Sequence, residues 1–595
     1  MAEMRASGRV QARRSAGFRC RASGRTGSED VRVSPTHGRK YDAIVVGGGA
    51  AGCVLARRLT EDADKHVLLL EAGSTQDTPL LAVPAGITRL FKNASLDWDT
   101  YARSAAQLWD REVYLARGKV LGGSTSTNAT LYHRGAKKDY DGWNVPGWSG
   151  EDVLPWFNAC EDNEQGKGTY RGTEGPVRVE HPRYKNPLYA KYFQASEEVG
   201  MVHNPEFNDW SKSQEGYGAF QVTQKRGRRW DAYKAYLEPA LERENLQVIT
   251  NAHVKKVVFD GKKAVGVEFN VGGRGMSASV GELKPDGEVI LACGAINSPH
   301  LLLLSGVGPE EQMREHGIEL VQALEGVGKN LQDQPACLTA YLGSKNVSVT
   351  DHVYNEKGSI RKRAILNYLL FRRGPLATTG CDHGAFVRSK AATGDLPDLQ
   401  LRYPPGCALD ADGVSSYVKF GMMKQAGIKW PSGMTFQVIA CRPKSKGSLS
   451  LRSDNPFDRP WVDHGYLTDP QGSDLASLIE GIKLTREMAG SPAFGDFVEE
   501  EIHPGSQVTS DGDIEAYIRR TLHSANAIVG TCALGVNPLQ GAVVDGQLKV
   551  HGLQGIRVVD SSVIPVIPGG QTAAPTFMIA ERAAAIVRGK EPKSI

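Results

Sequence analysis

Apolar and polar positions first fall into order at Tyr41. YDAIVV (Tyr41–Val46) is a short β-branched apolar run without alternation, which predicts a parallel strand buried on both faces. It runs into GGGAAG and then CVLARRLTED, a helical pattern, and a second apolar run, HVLLLE, ends at Glu71. Further along, DLQLRY, MTFQVIACRP and GSLSLRS are alternating or β-rich and predict strands of an antiparallel sheet. DLASLIEGIKLTREMAG instead spaces its apolar residues as a helix does. No internal repeat is visible. The run HLLLLSGVG falls short of the ~18 apolar residues a membrane-spanning helix needs, and no other stretch reaches that length.

At 595 residues the chain is too long for one simple core, so at least two lobes are expected. The first 40 residues differ from the rest: they hold ten Lys/Arg against three acids and are rich in Ser, Gly and Ala. Because the whole chain carries +4, the remainder is slightly acidic. Such an Arg- and Ser-rich, acid-poor leader predicts an organelle transit peptide over 1–40, with a plain disordered tail as the alternative. Positive charge confined to a removable leader argues against nucleic-acid binding. The nine cysteines are scattered without a CxxC pair, which suits a reducing compartment and points to neither a disulfide framework nor a zinc site.

The first candidate chemistry lies in the glycines. GxGxxG at Gly47, Gly49 and Gly52, with Ala50 and Ala51 opening the helix, sits between two strands, and Glu71 follows Gly52 by nineteen residues. Glycines permit the tight turn, a helix N-terminus faces a pyrophosphate, and the acid bonds ribose hydroxyls. Strand, glycines, helix, strand and acid in this order predict dinucleotide binding but do not separate FAD from NAD.

Four longer segments favour FAD. ARGKVLGGSTSTNATLYHRG (Ala116–Gly135), GAINSPHLLLLSGVGP (Gly294–Pro309), VGKNLQDQP (Val327–Pro335) and GIRVVDSSVIP (Gly555–Pro565) resemble, in order and spacing, the signatures of the glucose–methanol–choline (GMC) oxidoreductases. The resemblance implies the fold class α/β plus α+β. A discontinuous Rossmann-like FAD-binding domain would occupy 41–140, 240–335 and 525–595, and a substrate domain on an antiparallel sheet would occupy 141–239 and 336–524. It also implies that Val120, Ser124 and the backbone of Asn128, Ala129, Thr130 and Leu131 lie along the flavin. Val254 would hold the adenine side, and Asp560 would approach the ribityl–pyrophosphate region.

One segment departs from that family. TLHSANAIVGTCALG (Thr521–Gly535) resembles the stretch carrying the family's catalytic histidine, yet Ala527 stands in the histidine's place after Asn526. The second acid/base position, in GGQTAAPT, is Ala573. Oxidising an alcohol needs a base for the hydroxyl proton, a group worth about 10²- to 10⁴-fold in rate. His523 could serve only through a rearranged loop. Asn526 offers a neutral amide that can bond a carboxylate without taking a proton from it. Smaller departures are GTCALG and Gln334, where many relatives have histidine.

NEKGSIRKRA (Asn355–Ala364), TTGCDHGAFVR (Thr378–Arg388), DLPDLQLRY (Asp395–Tyr403), GVSSYVKF (Gly413–Phe420) and IACRPKS (Ile439–Ser445) resemble the algal fatty acid photodecarboxylases, a chloroplast branch of the same family. Those enzymes use FAD and blue light to turn a free fatty acid into a hydrocarbon one carbon shorter plus carbon dioxide. The resemblance makes Cys381, Arg402 and Asn526 the candidate catalytic residues. Tyr417 and Gln437 join Cys381 and Arg402 along the substrate channel, with Gly413 shaping it. Taken alone, Cys381 reads as an inert buried thiol and Arg402 as a salt-bridged strand residue. The implied partner is a long-chain free fatty acid, with peripheral thylakoid contact as a further expectation, although no amphipathic anchor is evident. Two other readings stand beside this one: an FAD-dependent alcohol oxidase or dehydrogenase using His523, and a flavin-bearing light-sensing or lipid-binding protein without turnover.

Overall fold

A seven-stranded sheet carries the glycine loop. In the computed structural model, which describes residues 39–590 except 77, 104–105 and 273–277 (and the side chains of 278, 417 and 418), Lys40–Val46 lies between Val67–Leu70 and Ala278–Leu291, parallel to both. Leu246–Ile249 extends the sheet beyond Val67–Leu70, and Ile556–Val558 pairs in parallel with the end of Ala278–Leu291. The start of that long strand instead pairs antiparallel with Lys263–Val271, which pairs with Ala252–Asp260. The continuous apolar character of the first two runs follows from this position: Ile44, Val45, Leu68 and Leu69 are wholly buried. Helix Ala50–Leu59 covers the sheet and packs on the C-terminal helix Ala573–Arg588, and Arg58 binds Glu581 through two hydrogen bonds of 2.8 and 2.9 Å.

A second seven-stranded sheet is antiparallel throughout. Its order is Val498–His503, Pro335–Gly343, Gly433–Ala440, Leu399–Arg402, His383–Val387 and Gly216–Ala219, and His523–Ser524 pairs with the start of Pro335–Gly343. Alternation sorts its two faces. Leu399, Leu401, Phe436 and Val438 join one apolar cluster with Leu478 and Ile482 of helix Ser473–Ala489. Arg402, Thr435 and Gln437 point the other way and line a cavity.

One expected strand is not in this sheet. Ser448–Ser450, within GSLSLRS, pairs only with Trp461–Asp463 in a two-stranded ribbon. Its backbone is taken up instead by the loop after Leu324, where Leu449 N donates to Gly328 O at 2.6 Å. The run HLLLLSGVG begins inside the buried helix Gly294–Leu304. Among the described residues no helix is long and apolar enough to cross a membrane. The expected leader lies outside the described residues, except for its last two positions.

Candidate active site

A cavity of about 500 Å³ runs from the glycine loop to the inner face of the second sheet. At the loop end, Gly47 has φ +102°, and a Cβ there would stand 2.5 Å from Ala292 O. A Cβ on Gly52 would stand 1.8 Å from Gly47 O, so that position tolerates only glycine. Gly49 is the N-cap of helix Ala50–Leu59, has no side-chain cap, and borders the cavity with Ala50 and Ala51. The first-turn N–H groups are therefore available to an anion. Glu71 is buried and held by its own loop: Gly48 N donates to Oε2 and Gly73 N to Oε1, each at 2.7 Å. Burial raises its pKa against those two bonds.

Further along, Asp560 stands at the N-terminus of helix Gly294–Leu304. Its carboxylate accepts from Gly294 N (2.9 Å), Ser298 Oγ (2.5 Å) and Ser562 N (2.8 Å), while burial raises its pKa. Ser124, Asn128, Ala129, Leu131 and Val254 line the same cavity. Asn128 Oδ1 is tied up by Thr130 N and Arg229 Nη1. Two residues expected along the flavin do not line the cavity. Val120 packs with Leu81, Leu90 and Leu96, and Thr130, in the left-handed region at φ +61°, turns its hydroxyl to Gln224 Nε2. Gly52 also lies behind the wall, because its part is to let the helix approach Gly47.

At the sheet end, register does the assembly. Arg402 and Gln437 are direct partners across adjacent strands, as are Gln437 and Leu338. Arg402 Nη1 donates to Gln437 Oε1 at 3.4 Å, and Gln437 Nε2 lies 2.9 Å from His523 Nε2. The His523 Nδ1–H points to Thr521 O at 3.4 Å, so Nε2 is the acceptor of the glutamine amide. Burial lowers the His523 pKa to about 4, which keeps the ring neutral. Arg402 is 7% exposed, its Nε has no partner, and no carboxylate among the described residues pairs with it. Burial lowers its pKa as well, yet a guanidinium stays charged near neutrality. An unpaired buried cation on a cavity wall calls for an anion.

Cys381 borders the same space. Burial raises its thiol to about 11 against the pull of Arg402, so it holds its proton at neutral pH. Gly413, at φ +70°, also lines the cavity, and a Cβ there would be 3.4 Å from His523 Nε2. Ala527 and Ala573 line the cavity and bring no ionisable group. Asn526, at φ +64°, is largely committed to the wall: Oδ1 accepts from Ala116 N at 2.8 Å and Nδ2 donates to Ser524 O at 3.3 Å. Its amide therefore joins two loops and keeps one N–H, less than a free carboxylate-binding amide would offer. Tyr417 is the second residue of helix Ser416–Gln425, and its side chain lies outside the described residues.

Three groups escaped the sequence reading. Arg117 lines the cavity and donates to Asn526 O at 2.7 Å. Gln571 bonds His133 Nδ1 and donates to Gln400 Oε1 at 2.9 Å, while burial lowers His133 to about 3. Asp333 anchors the 524–527 loop, accepting from Ser524 Oγ (2.5 Å), Ala527 N (2.8 Å) and Tyr466 OH (2.6 Å), with His464 Nε2 at 3.2 Å. Burial opposes its ionisation, but these bonds outweigh it and hold the carboxyl below its ordinary range. Arg117 and Asp333 both lie in quoted motifs, so only their contacts were hidden.

A glycine cradle, an uncapped helix end, a buried acid and a cavity reaching a second sheet define a dinucleotide-dependent oxidoreductase fold. Family models described as GMC oxidoreductase match residues 41–336 and 443–580. The chain belongs to the GMC oxidoreductase family, and its cofactor is FAD. It is 50% identical over 94% of its length, and 92% of the relative's, to the chloroplastic fatty acid photodecarboxylase of Chlamydomonas reinhardtii. It is 39% identical over 92% of its length, and 95% of the relative's, to an alcohol dehydrogenase [acceptor] of Pseudomonas putida. Among solved structures it resembles an FAD-dependent oxidoreductase from Chaetomium thermophilum, with TM-score 0.79, 26% identity, and 92% and 99% of the two chains covered.

Proposed function

We propose that the protein uses FAD and blue light to convert a free long-chain fatty acid into the hydrocarbon one carbon shorter plus carbon dioxide. The observation that carries this reading is Arg402: a buried, unpaired guanidinium in a cavity whose acid/base positions are Ala527 and Ala573. The name of the Chlamydomonas relative supports it.

Bound FAD supplies light absorption and one-electron oxidising power, which a saturated carboxylate needs because it has no adjacent electron sink. Gly47 and Gly49 with the helix end behind them would hold the pyrophosphate, Glu71 a ribose, Val254 the adenine side, and Ser124, Asn128, Ala129 and Leu131 the flavin. Arg402 fixes the carboxylate through charge-assisted hydrogen bonds, with Gln437 setting the guanidinium plane. Leu338, Val349, Pro404, Ala408 and Trp430 give the alkyl chain apolar walls that exclude water. Overall the carboxyl carbon leaves as carbon dioxide and a proton takes its place, so no base is required. The Cys381 Sγ–H, next to Arg402, is the group in the chain suited to hold that proton.

An alcohol oxidase would need His523 as base, but its Nε2 already accepts from Gln437 and its pKa is near 4. The domain division at 140, 240, 335 and 525 is supported by which of the two sheets each strand joins. The same relative's name supports a chloroplast location. The test is palmitate with the purified yellow protein, analysed by gas chromatography in parallel under blue light and in darkness. Pentadecane in the light sample alone is expected. Hydrocarbon in neither sample, or dark turnover of the fatty alcohol, sinks the proposal.

A further inference from the structure

Helix Lys362–Phe371 is inside out. It buries Ala364 and Tyr368, and Tyr368 OH reaches Ala82 O at 3.4 Å. Leu366 (57%), Leu369 (58%), Leu370 (69%) and Phe371 (63%) are largely exposed, with Ile365 beside them. At ~100° per residue, Ile365, Leu366, Leu369 and Leu370 form one stripe opposite the buried pair. Lys362 and Arg363 precede the stripe and Arg372 and Arg373 follow it, and none of the four makes an ion pair with a described residue. Arg363 and Arg373 also line a groove bordered by eight Lys/Arg against four acids.

We propose that this helix is a docking face for an anionic lipid bilayer, with the apolar stripe entering the acyl boundary and the flanking cations on lipid phosphates. The proposal deepens the fatty-acid reading, on which it rests only for the purpose of docking. Charge complementarity selects the occupant: apolar side chains framed by unpaired cations match an anionic membrane surface. The segment is continuous with the cavity wall. Val349 and Thr350 line the cavity before the helix, and Thr379, Gly380 and Cys381 line it after. A membrane at this face would therefore lie beside the store of the proposed substrate.

The test is flotation of the full-length, flavin-loaded protein in the dark, so that binding is read without turnover. Vesicles of phosphatidylcholine with phosphatidylglycerol are compared with phosphatidylcholine alone. The protein should float with the anionic vesicles, less with neutral ones, and less at high salt. The Leu370→Asp/Phe371→Asp double variant should lose about tenfold or more in partitioning, and Arg363→Glu/Arg373→Glu similarly. Flavin absorbance and melting temperature establish that each variant is folded, and the salt and neutral-vesicle arms on the unaltered protein hold even where one is not. Failure of the unaltered protein to float, equal flotation of a folded apolar variant, or a dimer that this variant breaks while neither form floats would overturn the proposal.

Discussion

Replacing Arg402 by leucine separates what the guanidinium costs the fold from what it does for the ligand. The side chain is 7% exposed, its Nε has no partner, and its one recorded hydrogen bond, to Gln437, is 3.4 Å long. A buried cation held this loosely is desolvated without full compensation, so leucine should leave the melting temperature of the substrate-free protein unchanged or higher. The effect on a bound carboxylate is opposite. Truncating one partner of a buried, hydrogen-bonded charge pair costs about 2–5 kcal/mol. At ~1.4 kcal/mol per tenfold, palmitate should bind Arg402→Leu roughly thirtyfold to several thousandfold more weakly. Titration calorimetry in the dark with flavin-loaded protein measures the affinity, and thermal melts with and without palmitate measure the stability. Palmitate binding within about threefold of the unaltered protein, or a clear fall in melting temperature without ligand, would refute the assignment of Arg402 as the carboxylate's partner.

Gly52→Ala places a Cβ 1.8 Å from Gly47 O, a clash between backbones that should cost about 1–3 kcal/mol or more; the purified protein should be colourless, as absorbance will show. Ala527→His puts a ring into a site only 4% exposed; hydrocarbon formation in the light should fall by up to about a hundredfold, with no dark oxidation of fatty alcohols gained, both read by gas chromatography. His523 titrates at about 4 when folded and near 6.5 when unfolded, so the unfolded chain binds more protons between those values and stability is lost as the pH is lowered through that window. His523→Gln should remove roughly 3 kcal/mol of that loss, measured by denaturant melts of both proteins from pH 6.5 to 4.

The dinucleotide end of the site was legible because its parts are local. Gly47, Gly52 and Glu71 act through turns and neighbouring strands whose signals lie within a short stretch of chain. The substrate end was legible only through family resemblance, since its geometry depends on register between distant segments. Arg402 meets Gln437 by pairing of Leu399–Arg402 with Gly433–Ala440, and His523 joins them because it pairs with Ala336. Helix Lys362–Phe371 was not singled out in the sequence for a related reason. Its apolar stripe has the same spacing as a core-facing one, and only the packing of Ala364 and Tyr368 reveals which side is out. Likewise GSLSLRS has a strand's pattern, but the choice of partner belongs to the loop at Gly328.

The absent histidine is best understood from what surrounds it. In a decaying site, the supports of a lost side chain have no reason to persist. Here Asp333 still binds Ala527 N, Ser524 and Tyr466, so the frame that positions residue 527 is complete around a methyl group. Two imidazoles at the sheet end are held neutral, His523 near 4 and His133 near 3, and the Cys381 thiol keeps its proton. At the sheet end Arg402 keeps its charge, with no carboxylate paired to it among the described residues. A group that could take a proton from a substrate has been removed, while the group that attracts an anion is buried without a partner. That combination suits an acid bound as its carboxylate, and it gives an alcohol nothing to surrender its proton to.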